Sequence, residues 1–175
     1  MNQKVFIYLI LFAFILVSLF SITLKIENNT LKQKVEVSKI RLTETFSYNS
    51  LFHLFDRVIQ KPTQANRIAL HSSLMNKESQ IRTLLILSLT DEQLEREFNG
   101  KNQTILDYKL TDHKLLDETD NNDIDSFKQM KIAWENFRQD TGGDGFIQAS
   151  DTGILIGSYK KLSETMMECF SKLNK

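Results

Sequence analysis

The feature that most constrains this chain lies near its start: from Val5 to Leu24, twenty consecutive residues carry no charge. Twenty helical residues rise about 30 Å, the thickness of a bilayer's hydrocarbon core. The run is mostly Ile, Leu, Phe and Val, and the hydroxyls of Ser18, Ser21 and Thr23 can bond back to helix carbonyls. It holds no glycine, so it offers no close-packing Gly-x-x-x-Gly face. The stretch exceeds the apolar region of a cleaved secretory signal, and no Ala-x-Ala comes after it. The expectation is an uncleaved transmembrane helix over 5–24 behind a leader of residues 1–4, anchoring a single-pass protein in the inner (cytoplasmic) membrane through lipid contact. Lys25, Lys32, Lys34 and Lys39 behind the run favour a cytoplasmic C-terminal part by the positive-inside tendency. A very short leader before an apolar run is instead the layout of a signal-anchor, which exports the chain on its C-terminal side. On that ground the remainder is expected outside the cytoplasm.

Beyond the run, 22 basic residues balance 22 acidic ones over the whole chain, which leaves no electrostatic footprint for nucleic acid. A single cysteine, Cys169, excludes an internal disulfide. Only Val35, Val37 and Val58 represent valine after residue 24, so the remainder is expected to be mostly helical with a small sheet at most. Residues 25–60 read as helix. Leu24, Leu31, Val35 and Leu42 follow 7-4-7 spacing with Asn28 and Ser38 between them, half of a coiled-coil seam. Phe46 to Ile59 is densely apolar and is stopped by Pro62. Asn76 to Ser79 looks like a turn, and the apolar run Ile81–Leu89 suits a buried strand or a helix equally.

Thr90-Asp-Glu-Gln93 is a capping box that predicts a helix over 91–99. Residues 101–122 are polar and acid-rich and read as a solvated loop leading into a helix N-terminus. Phe127, Met130, Trp134 and Phe137 predict an amphipathic helix over 123–139. Tyr159, Leu162, Met166, Cys169 and Leu173 predict another at the end, with Cys169 as a small buried hydrophobe. Between these helices, Phe146–Ala149 and Ile154–Gly157 flank Ser-Asp-Thr-Gly and suggest a β-hairpin with Gly153 in the turn. The predicted organisation is a leader at 1–4, a transmembrane helix at 5–24, a juxtamembrane helix at 25–45 and a soluble helix-rich domain at 46–175. The predicted fold class is α+β, helix-rich with a short hairpin, and the alternative is an all-α bundle.

The most motif-like stretch is Asp140-Thr-Gly-Gly-Asp144-Gly145-Phe146-Ile147-Gln-Ala-Ser-Asp151. It resembles the twelve-residue calcium loop of the EF-hand family. That resemblance implies a calcium site with Asp140, Asp144 and Asp151 as carboxylate ligands and Phe146 giving its carbonyl, since calcium takes six to eight oxygens. Gly142 stands where the family places an oxygen ligand, and Asp151 is a methylene shorter than the usual bidentate Glu. The hairpin accounts for the same glycines without a metal. His53, His71 and His113 are dispersed, and none of the metalloprotease, thiol-redox, hydrolase or phosphate-loop signatures occurs. No nucleophile–base pair stands out, so no enzyme activity and no other cofactor are expected.

Ile154-Leu-Ile-Gly before a terminal amphipathic helix is similar to the end of small sensor domains of the PAS and GAF families. This implies a membrane-anchored, non-enzymatic binding or sensing module that acts through a protein partner or a small ligand, or as a homo-oligomer. The layout also resembles that of large single-span phage holins, which implies the alternative: a lysis protein that oligomerises in the inner membrane while its exported domain binds a regulator.

Overall fold

A computed structural model describes the backbone of residues 3–45, 47–99, 104–117, 121–142 and 152–173, and their side chains apart from 3–16, 19, 41–45, 99, 121 and 122. The chain divides into two compact units, Met1–Ser38 and Lys39–Lys175. The first is helical throughout its described length and is the leading part of α1, Gln3–Thr45. The helix does not stop at Leu24 but runs on without a break through Lys25, Glu27, Lys32, Lys34, Glu36 and Lys39.

This corrects the membrane-anchor expectation. Among the described residues, no helix is long and apolar enough to cross a membrane. The transmembrane assignment of 5–24 falls on that finding, and with it the signal-anchor, the lipid contact and the placement in the inner membrane. A Lys at a span's centre costs about 2.5–3.5 kcal/mol, and from Lys25 on the described side chains of α1 include Lys or Glu in almost every turn, so that stretch could not serve as a span. The side chains of 5–16 lie outside the described residues.

The second unit is a bundle of helices: α2 Tyr48–Gln60, α3 Gln64–Ser88, the short α4 Asp91–Leu94, α5 Asn121–Thr141 and α6 Thr152–Lys172. In α2, Tyr48, Leu51, Phe55 and Val58 fall at 3-4-3 spacing and are buried. Pro62 cannot continue α2, and the corner after it is built from side chains. Thr63 caps α3 by accepting from the Asn66 amide at 3.3 Å. Asn66 Nδ2 donates to the Lys61 carbonyl at 2.8 Å, and Arg67 Nη1 donates to that of Pro62 at 3.0 Å.

The segment Asn76–Ser79, expected as a turn, lies in the middle of α3. Helix wins there because Leu70, Leu74, Ile81, Leu84 and Leu85 form one buried stripe that runs through it. The same stripe settles Ile81–Ser88 as helix. The capping box of Thr90 and Gln93 is present, and the chain continues from α4 into a wider π turn over Glu95–Asn99.

The α+β expectation is also corrected: no strand occurs among the described residues. Ile154–Gly157, read as the second strand of a hairpin, forms the first turns of α6. Leu155, Ile156, Tyr159, Leu162, Met166, Cys169 and Phe170 line one buried helical face, a larger burial than two alternating residues of a hairpin would give. Gly157 points to open space, so this glycine is compatible with helix rather than needed for a turn. Phe146–Ala149, the other proposed strand, lies outside the described residues.

Helix α5 packs on both α2 and α6, while α3 packs on α2 and α6. At the centre lie Trp134 and Phe137, whose rings meet edge-on at 5.8 Å, with Tyr48, Phe55, Phe127 and Tyr159 around them in one cluster. Thr141 Oγ1 donates to the Phe137 carbonyl at 2.7 Å, so the bond of 2.9 Å between it and Tyr48 is given by the phenol. That bond ties the start of α2 to the end of α5. Beyond it, Gly142 ends the helix at φ 129°, a backbone state open to glycine and strained for other residues.

Candidate functional site

The irregular segment Thr104–Asp117, which the sequence presents as part of a solvated loop, is instead a fixed structure. Two 3₁₀ turns, Ile105–Asp107 and His113–Leu116, are each set by an aspartate. Asp107 Oδ2 accepts from the Thr104 amide at 2.6 Å, and Asp112 Oδ1 accepts from the Lys114 amide at 2.9 Å. Tyr108 and Leu110 between the turns, and Leu115 within the second, are buried in the core.

A polar cluster from α3 and α6 holds this segment by its backbone. Arg82 Nη2 donates to the carbonyls of Tyr108 at 2.8 Å and Leu106 at 3.3 Å. Glu78 pairs with Arg82 one turn away and accepts from the Leu110 amide at 2.9 Å. The Tyr159 phenol donates to the Tyr108 carbonyl at 2.7 Å and accepts from Arg82 Nε at 3.2 Å. Ser163 Oγ donates to the Lys109 carbonyl at 3.1 Å. Every charge in this cluster therefore meets an opposite charge or a backbone dipole, the condition for burying it at a tolerable cost. Burial pushes the Tyr159 phenol up to about 12, partly offset by its bond from Arg82.

The outer side of the pinned segment forms an open cleft of about 450 Å³ with the last turns of α6. Its floor is apolar, made by Met167 and Phe170, and its rim carries Asp107, Lys109, Asp112, Lys114 and Ser171. The pattern Asp-x-Lys occurs twice on the rim, at 107–109 and 112–114. Both aspartates are already engaged by backbone amides, and Lys114 Nζ donates to the Phe170 carbonyl at 3.4 Å. Met167, 41% exposed, is the apolar group that the cleft presents to solvent.

A second cleft of about 210 Å³ lies between the π turn and α6, lined by Leu89, Gln93, Arg96, Glu97, Ile156 and Lys160 among others. Here the cations are occupied. Lys160 donates to the Glu97 carbonyl and reaches its carboxylate at 3.4 Å, and it lies 5.0 Å over the Phe98 ring. Hydrogen bonds from Arg96 first, and then from Lys160, hold the Glu97 carboxyl below the usual range.

Of the four residues proposed for a calcium loop, the structure describes Asp140 alone. It is exposed in the last turn of α5, and its Oδ2 accepts from Ser158 Oγ at 3.3 Å. Asp144, Phe146 and Asp151 lie outside the described residues. Among the described residues no group of three or more His, Cys, Asp or Glu side chains could hold a metal ion. Cys169 is buried with its thiol toward Gln129 Oε1 at 3.8 Å, and burial pushes its pKa up, away from a reactive thiolate. Compared with protein-family models, curated proteins and solved structures, the chain gives no match.

Sequence reasoning missed the whole 104–117 site. The one signal available was the alternation of apolar and charged residues in Leu106-Asp-Tyr-Lys-Leu110, and it holds in the structure for Tyr108 and Leu110, which are buried, but not for Leu106, which is exposed.

Proposed function

We propose that the unit Lys39–Lys175 is a non-enzymatic binding module whose cleft between residues 107–114 and α6 receives a segment of a partner protein. The observation that carries this reading is a solvent-facing apolar floor at Met167 inside a rim of both charge signs. Such a surface suits a peptide that places one apolar side chain on the floor and offers an acid to Lys109 beside it. A rigid scaffold under an irregular surface segment is the usual arrangement of binding loops. The cleft is open and lined by charged side chains of both signs beside two apolar ones, which favours a polypeptide over an enclosed small molecule.

A photoreactive amino acid placed at Met167 of the full chain, in the cells that make it, tests the reading. We expect one discrete adduct with a different protein, lost on Lys109→Glu and absent when the photoreactive residue is placed at the exposed Ile132 of α5 instead. No protein adduct, or the same adduct from both positions, removes the reading.

A further inference from the structure

Helix α3, Gln64–Ser88, turns one face to solvent, and none of its exposed residues is charged. The other long helices of this unit differ: α2 exposes Arg57, α5 exposes Asp125 and Lys128, and α6 exposes Lys161, Glu164 and Glu168. The charges of α3 are turned elsewhere. Arg67, Lys77 and Glu78 are buried, and Arg82 is engaged by Glu78 and by the carbonyls of Leu106 and Tyr108. Ile68, Met75 and Ile86 are instead 48%, 54% and 52% exposed.

These three side chains fall on one line. At about 3.6 residues per turn, position 75 lies two turns after 68, and position 86 lies five turns after it. With Ser72, Ser79 and Arg82 they make a seam of 4-3-4-3-4 spacing, about 27 Å long. Every large apolar side chain that α3 exposes is on that seam. Loss of charge together with Met beside aliphatic groups is the composition of an interface core, whereas a solvated helix face carries charge. We propose that α3 packs along this seam against α3 of a second copy of the chain, antiparallel, about a two-fold axis between Met75 and Ser79.

Charge selects the occupant. A buried charge without a partner is costly, so an uncharged face is matched by another uncharged face. Among the described long helices of this unit, the one that exposes such a face is α3 itself. Residue order selects the direction. Reversed on itself, the seam sets Ile68 against the other copy's Ile86, Met75 against Ser79, large beside small, and Arg82 against Ser72. A parallel copy would set Arg82 on Arg82. One patch serving both copies is an isologous contact, which closes at a dimer.

The test uses the purified full chain and its mass in solution. We expect a dimer whose Kd rises about tenfold or more in Met75→Glu, since each copy would then bury an unpaired carboxylate. Met75 is more than half exposed within one copy, so this substitution leaves the fold intact. In a Cys169→Ala background, Ile68→Cys mixed with Ile86→Cys should give a covalent dimer under mild oxidation, and neither variant should do so alone. A monomer, an assembly other than a dimer, a dimer indifferent to Met75→Glu or a mixture that does not cross-link overturns the proposal. So does a cross-link in either variant alone, the mark of a parallel pair. No residue lining the 107–114 cleft belongs to α3, so Lys109→Glu should leave the mass unchanged and the two proposals fail separately.

Discussion

Tyr159 shows how much one hydroxyl can hold. It gives its proton to the Tyr108 carbonyl and takes one from Arg82, so it links α6, α3 and the 104–117 segment. Tyr159→Phe leaves both partners short of a bond in a buried place and should cost about 1–3 kcal/mol, read from urea unfolding. The raised phenol also sets a pH dependence. Unfolded, a tyrosine loses its proton near 10, whereas in the folded protein this one holds it to about 12. The unfolded state therefore binds fewer protons between those values, and stability falls as pH rises through them. Below that window the contribution is fully present. The phenylalanine variant should show a shallower loss over the same range, and an identical slope in both proteins would remove the assignment. Single residues of this kind were hidden in the sequence. Glu78 and Arg82 look like an ordinary helix-surface pair at i, i+4, and only partners from Leu106 to Tyr159 give them their role. Trp134 and Cys169 were legible, because burial on an apolar stripe needs no knowledge of the partner.

At the scale of elements, the start of α6 is the sharpest test of the helix that replaces a hairpin. In the helix Leu155 is buried and Ile154 is half exposed. Leu155→Ala should cost about 2–5 kcal/mol, and Ile154→Ala should stay within about 0.5 kcal/mol. A strand pairing 154 with 156 on one face would reverse or equalise these values in a thermal or urea melt. The periodic helices α2, α5 and α6 were readable from their apolar spacing, and the capping box of Thr90 fixed where α4 begins. The failures share a cause. Ile154–Gly157 and Asn76–Ser79 carry local strand or turn preferences too weak to resist a helix that gains a core on both sides. The cleft was illegible for a related reason: its apolar side chains come from α6 and the charged side chains of its rim from a segment over fifty residues earlier.

At the scale of the whole molecule, the core cluster runs, among the described residues, from Tyr48 to Leu173. Residues 39–175 produced alone should therefore keep the far-ultraviolet helical signal of the bundle and melt within a few degrees of the full chain. Loss of cooperative melting on removing 1–38 would show that the core is not self-sufficient. The uncharged run from Val5 was the plainest feature of the sequence, and helix over 25–45 was legible too; what the run did not show is that the two form one unbroken helix. In the structure the charged turns beyond Leu24 belong to the same helix.

The amide of Leu110 lies outside any α-helix, where deuterium ordinarily enters fast, yet it is bonded to Glu78, thirty-two residues away, under cover of the core. Exposing it means parting α3 from the pinned segment, and Arg82 and Tyr159 extend that grip to α6. Its uptake rate should consequently track the rare opening of the bundle as a whole rather than local fraying, so one exchange-protected proton can serve as a denaturant-free gauge of how tightly this protein stays shut.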